Sequence, residues 1–112
     1  MRYLLLISAD EDEVEATDVP DGMDRFHAWM ADLRARGVLR VHEGLHPSAT
    51  ATTVRVRNDE VLVTDGPFSE AKDQVGGFAV VDVADLDEAI AIAAGHPATG
   101  IGQVEIRPVR EA

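Results

Sequence analysis

The chain contains no cysteine. That excludes a disulfide framework, thiolate zinc sites and thiol catalysis, and it fits a reducing cytosol. Aromatic residues are only 4% of the chain, so a core must be built mostly from Val, Ala, Leu and Ile. The opening apolar run, Tyr3 to Ala9, is short, and Asp10 to Glu13 cut it off. A signal peptide needs a longer apolar region, and a membrane helix needs about 20 apolar residues. The expectation is a soluble, cytoplasmic protein with no membrane partner. Basic residues are scarce: 10 Lys and Arg stand against 21 Asp and Glu, a net charge of −11. The acidic residues crowd between Asp10 and Asp24. Such a field repels phosphate backbones and anionic lipid surfaces, so nucleic acid is not an expected partner.

What is present is a chain of 112 residues, 46% of them hydrophobic. That suits one domain spanning 1–112 with a real core. Residues 2–8 read as a short strand buried on both faces, and residues 10–20 as a polar loop. A helix is predicted over 21–36, stopped by Gly37. At 100° per residue its apolar stripe is Met23, Phe26, Trp29, Met30 and Leu33, with His27 at the border. Residues 38–46 read as a strand. Strict alternation puts Leu39, Val41, Glu43 and Leu45 on one face and Val38, Arg40, His42 and His46 on the other. A hairpin follows, with Thr52 to Arg57 and Glu60 to Asp65 flanking an Asn58-Asp59 turn. In that register Arg57 faces Glu60, Arg55 faces Leu62, and Val54 and Val56 face Val63 and Val61. Residues 76–83 read as another buried strand. Asp85 and Glu88 form a capping box for a helix whose buried stripe is Leu86, Ala89, Ile90 and Ala93, and which Gly95 ends. His96-Pro97 stops that helix and favours its C-terminal dipole. Residues 103–109 make the last strand. The order β-α-β-(hairpin)-β-α-β is the ferredoxin-like split βαβ plan of an α+β fold, with an inserted hairpin. Two helices cover one face of its antiparallel sheet. The surplus of apolar strand positions calls for a cover on the other, and a second copy of the chain is the simplest one.

Several familiar chemistries have no pattern here. His42 and His46 are four apart, which on a strand is about 13 Å, too far to share a metal ion. No H-x-x-x-H helix or H-x-H occurs, and no metal is expected. Gly76-Gly77 precedes a strand rather than a helix, so it is not a phosphate loop. No Ser-His-Asp or nucleophile-elbow pattern exists. Asp65-Gly66-Pro67-Phe68 is a strong turn signal: Gly66 admits a positive φ, Pro67 fixes its own, and Asp65 bonds its own backbone. The rival role for Asp65 is a ligand contact, with Phe68 and Lys72 beside it.

Taken together, Glu43-Gly44-Leu45, the run Ala49 to Arg55, Val63 to Phe68, Lys72 and Gly76-Gly77-Phe78 resemble the DGPF group of the YCII-related proteins. The helix start Asp85 to Ala89, His96-Pro97 and Val104 to Val109 extend the resemblance over nearly the whole chain. It implies a homodimer in which two sheets face each other as a dimeric α/β barrel. Members studied in this family carry a histidine in the first helix and an aspartate after the second, proposed as a catalytic pair. Those positions fall near Phe26, with His27 beside it, and near His96, so the pair is missing in its usual form.

The barrel interior is then the expected site. Glu43 is an isolated carboxylate on an otherwise apolar strand face, and desolvation of that kind is what tunes a general base. Its structural alternative is a buried partner for Arg55 or for backbone N–H groups. Glu43 or His42 is the candidate base, and Arg55 or Arg40 the cation that steadies an oxyanion. Asp65, Phe68 and Lys72 form the rim. The resemblance implies a lyase or isomerase that moves a proton on a small organic acid or phenol without a cofactor. One activity of the family eliminates hydrogen chloride from a chlorinated hydroxyquinol. The alternative is a non-catalytic ligand-binding or accessory protein, because DGPF proteins are often encoded beside extracytoplasmic-function sigma factors.

Overall fold

The computed structural model describes residues 1–16 and 22–111. The elements run β1 (Arg2–Asp10), α1 (Glu11–Ala16), α2 (Gly22–Ala35), β2 (Leu39–Gly44), β3 (Thr52–Arg57), β4 (Glu60–Asp65), β5 (Asp73–Asp82), α3 (Leu86–Ala94) and β6 (Gly102–Pro108). Short 3-10 helices lie at Ser48–Thr50 and Pro97–Gly100. A mixed α+β fold results. Its main sheet is antiparallel with strand order β2-β5-β1-β6, the ferredoxin-like arrangement. No described helix is long and apolar enough to cross a membrane.

Both long helices are closed by local chemistry. At the end of α2, Gly37 takes φ +70. Its N–H donates to the Arg34 carbonyl and that of Val38 to the Leu33 carbonyl, a Schellman motif that only a residue at ease with positive φ completes cheaply. At the start of α3, Asp85 Oδ1 accepts from Glu88 N–H, and Glu88 Oε2 accepts from Ala84 N–H, each at 2.9 Å. The capping box therefore closes one residue earlier than its usual form.

The core lies between one sheet face and these helices. Tyr3, Leu5, Ala79 and Val81 meet Trp29, Met30, Leu33, Ala89 and Ile92. Removing side chains such as Leu5 and Leu33 from water stabilises the fold by about 1.5–3 kcal/mol each. The helix stripes differ in part from expectation. On α2, Met23 is exposed and Phe26 half-buried. On α3, Ile92 is buried in place of Leu86 and Ile90, because Ile92 is the turn that docks on Trp29. Among the described residues, no helix covers the opposite face of the sheet. Leu4, Leu6, Phe78 and Val80 there are half-buried, so β1 is closed on one side only within this chain.

Residues 11–16, expected in a loop, form α1; of that loop, residues 17–20 lie outside the described residues, as does Asp21 of the predicted α2. The acidic first turn of α1 (Glu11, Asp12, Glu13) suits a helix N-terminus, where the dipole favours negative charge. Among the described residues β3 and β4 pair only with each other, with Arg57 opposite Glu60, Arg55 opposite Leu62 and the four valines matched as read from the sequence. Asn58 and Asp59 take φ 51 and 64, the values of a type I′ turn. All hairpin strand positions except Thr53 are exposed. The radius of gyration is 15.9 Å, against about 13 Å for a compact chain of this length.

Candidate functional site

Two irregularities shape the end of the sheet where β1 finishes. Gly76 has no counterpart on β1 and sits in a bulge, since Ile7 pairs with Gly77 and Ser8 with Val75, while its carbonyl accepts the Leu45 N–H. Gly102 lets β6 approach β1 so closely that a Cβ there would stand 2.1 Å from the Ser8 carbonyl oxygen. Bulges of this kind redirect side chains beside functional sites. Next to them opens a cleft of about 970 Å³. Ile7, Val14, Leu45, Pro47 and Ile101 give it apolar walls, and Ser8, Glu11, Arg25, His46 and Gln74 bring polar groups. Glu11 ties α1 to the neighbouring 3-10 helix. Its carboxylate accepts Ser48 N–H at 2.8 Å and the Ser48 hydroxyl. The Ser48 hydroxyl, then its backbone N–H, hold Glu11 below the usual carboxylate range, so it is a fixed anion. Arg25 offers a cation and His46 an imidazole, the side chain suited to proton transfer near neutral pH. No local sequence motif marks this cleft, because its lining comes from five separate stretches of the chain. The signals available were the bulge glycine Gly76 and the helix-start acids.

A second cluster lies between α2 and the sheet. Phe26 sits 5.2 Å from His42 and 5.8 Å from His96, and Trp29 lies 4.8 Å from His96, ring centre to ring centre. Trp29 Nε1–H donates to the Ile92 carbonyl at 2.8 Å. Burial lowers the His42 pKa, with Arg34 adding to the effect and Glu43 opposing it. Burial pushes His96 down to about 4, helped by His42. His96 is therefore neutral and accepts a backbone N–H, not a charge placed at the α3 dipole.

The residues singled out from the sequence separate into three places. A bulge at Arg40 pairs Leu39 with Val81 and Val41 with Val80. Strict alternation therefore fails. Leu39 and His42 share the helix-covered face, while Val41 and Glu43 share the bare one. His42 points away from any barrel interior and into the aromatic cluster. Glu43 is exposed opposite Phe78, so the desolvation argued for it is absent. Arg40 donates to the Gly37 carbonyl at 2.8 Å and pairs with Asp82 at 3.5 Å. Arg55 lies on the hairpin, its guanidinium 5.9 Å from the centre of the exposed Phe68 ring. No ion pair joins it to Glu43 among the described residues. Asp65 is exposed at the end of β4. The turn after it is held by Gly66, whose N–H donates to Ala51 and whose carbonyl accepts from Thr53 Oγ1. Lys72 pairs with Asp10 at 3.6 Å and borders a small polar cavity of about 250 Å³. No group of three or more described His, Asp or Glu residues is placed to share a metal ion.

Comparison with known proteins places this architecture. The chain is 42% identical over 69 residues to an uncharacterized protein of Rhizobium meliloti (strain 1021). That match covers 58% of this chain and 54% of the other, so it spans about half the length of the curated relative. Among solved structures, the chain is similar to 5-chloro-2-hydroxyhydroquinone dehydrochlorinase of Burkholderia phenoliruptrix AC1100, in complex with 2,5-dihydroxybenzoquinone. The TM-score is 0.59 at 15% identity, covering 100% of this chain and 96% of that one. At that identity the likeness is one of fold. The model of the YCII-related domain matches residues 1–112, and the chain belongs to the YCII-related family.

Proposed function

We propose that this protein binds a phenol or small organic acid in the cleft at the end of β1 and moves a proton on it without a cofactor, as a lyase or isomerase. The observation that carries the reading is the combination in one cleft of apolar walls, a cation (Arg25) and an imidazole (His46). Apolar walls receive the ring. His46 takes the proton, and Arg25 steadies the oxygen on which charge develops. The fold shared with a dehydrochlorinase bound to 2,5-dihydroxybenzoquinone makes that quinone the first probe. Calorimetric titration should detect binding to the wild type. Arg25→Ala should weaken it at least tenfold, and His46→Gln should abolish turnover of a chlorinated hydroxyquinol while keeping binding. Unchanged behaviour in both variants would sink the cleft as the site.

One observation favours the second reading, a non-catalytic ligand-binding or accessory protein. Phe26 and His96, near the positions of the pair proposed as catalytic in studied family members, pack ring against ring at 5.8 Å. Binding by the wild type with no release of chloride would select it. We further propose that the protein is a cytoplasmic homodimer joined through the bare sheet face. Glu43 lies on that face, so a second copy could bring Arg55 to it. Glu43→Gln tests the site there, since loss of binding in that variant alone would move the site into the barrel interior.

A further inference from the structure

Among the described Asp, Glu, His, Lys and Arg residues, His96 alone is buried, at 8% exposure. It follows α3 and is the N-cap residue of the 3-10 helix Pro97–Gly100. Its Nδ1 accepts the Ala98 N–H at 2.9 Å, so the ring is neutral and fixes the first turn of that helix. The next amides depend on the same turn: Thr99 N–H donates to the His96 carbonyl and Ile101 N–H to the Ala98 carbonyl. Pro97, Ala98, Gly100 and Ile101 are one wall of the cleft. Few of the described groups face His96. From β2 it is His42, with Glu43 and Arg34 acting on that ring. From α2 it is Phe26 and Trp29, with His27 5.8 Å from the Phe26 ring. The last turn of α3 carries no titratable side chain, nor do Pro97–Gly100 and the strand ends beside them, Ile7–Ala9 and Gly102–Val104.

We propose that His96 is an acid-labile latch: the neutral ring holds the Pro97–Ile101 wall of the cleft, and proton uptake at Nδ1 releases it. The consequence for ligand binding rests on the cleft reading above; the release itself does not. A protonated Nδ1 is a donor facing a donor, so the bond to Ala98 is lost. The sign follows from linkage. The latched ring takes a proton only near pH 4, whereas an opened ring returns to its ordinary value of 6.5. The latch is therefore at full strength above about pH 6.5. It weakens as pH falls towards about 4, by up to about tenfold in opening per pH unit.

Amide hydrogen exchange of the wild-type protein between pH 7 and pH 4.5 tests this, with Leu5 in β1 as internal control. Protection factors of Ala98, Thr99 and Ile101 should fall by up to about tenfold per pH unit below pH 6.5, and that of Leu5 much less. In His96→Asn the side-chain oxygen can still accept the N–H two residues on, but nothing titrates, so the fall should vanish. Wild-type factors that stay within about twofold across the range would overturn the latch, as would an unchanged slope in His96→Asn. If that variant does not fold, the His96 ring Cε1–H resonance decides. Its titration must follow the exchange curve, and a ring that titrates without it refutes the proposal. Titration with 2,5-dihydroxybenzoquinone at pH 7 and pH 5 separates the two readings. Binding absent at both values counts against the cleft alone, whereas binding retained at pH 5 despite lost protection breaks the link between wall and ligand.

Discussion

Residues at three positions hold together elements that border the cleft. Gly102 is one, because any Cβ there would press on the Ser8 carbonyl at 2.1 Å and on Ala9 Cα at 2.8 Å. Both contacts are to backbone, which cannot rotate away. Gly102→Ala should destabilise the protein by about 2–3 kcal/mol, in the upper range of overpacking changes. Chemical denaturation measures it, and a loss below about 0.5 kcal/mol would show that β6 moves freely against β1. Trp29 is the second: its indole joins α2 to the Ile92 carbonyl and lies against Gly95, where a Cβ would stand 3.4 Å from it. Glu11 is the third, since its carboxylate fastens the first helix to the Ser48–Thr50 turn. None of these roles can be seen in the residue type. Glycine, tryptophan and glutamate become constraints only when a distant strand or carbonyl arrives beside them.

At the scale of elements, local signals were legible and facing was not. The Asn58-Asp59 turn fixed the hairpin register, because a two-residue type I′ loop leaves one way to pair the strands. The Gly37 stop and the Asp85 cap set the helix ends for the same reason: their bonds are made within a few residues. Asp85→Ala removes the acceptor for Glu88 N–H and should cost about 1 kcal/mol, read as a lower thermal midpoint. An unchanged midpoint would mean that water replaces the cap without loss. By contrast, the placing of His42 and Glu43 from alternation alone was reversed for His42. The cause is the extra residue in β2, whose need depends on how Val80 and Val81 of β5 lie opposite. That is tertiary information. The acidic run after Asp10 likewise read as loop, although the acids of its first turn are those a helix N-terminus favours.

The molecule is a slab of 48 × 41 × 18 Å, with α2 and α3 packed on one sheet face. Leu4, Leu6, Val41, Phe78 and Val80 line the uncovered side, and the hairpin exposes Val54, Val56, Val61 and Val63 at 56–63%. An apolar area of this kind calls for a partner surface, and the proposed one is a second copy. Light scattering at micromolar concentration should give twice the mass of the chain. Val80→Lys, at the centre of the bare face, should reduce it to a single chain without unfolding it. A wild type that scatters as a monomer would refute the dimer. The charge of −11 acts at the same scale. It makes retention on DNA at physiological salt an unexpected result, and a gel shift there would contradict the electrostatic argument.

The bulge in β2 also gives the strand a place to change length. Leu39 stands opposite Val81 and Val41 opposite Val80, while Arg40 has no counterpart across the ladder. The pairing on either side is therefore the same whether or not a residue stands between them. Removing Arg40 would turn the strand into a regular one in which His42 still meets Ala79 and Glu43 still meets Phe78. The irregularity works as slack: it absorbs a change of one residue that elsewhere in a strand would turn every following side chain to the other face.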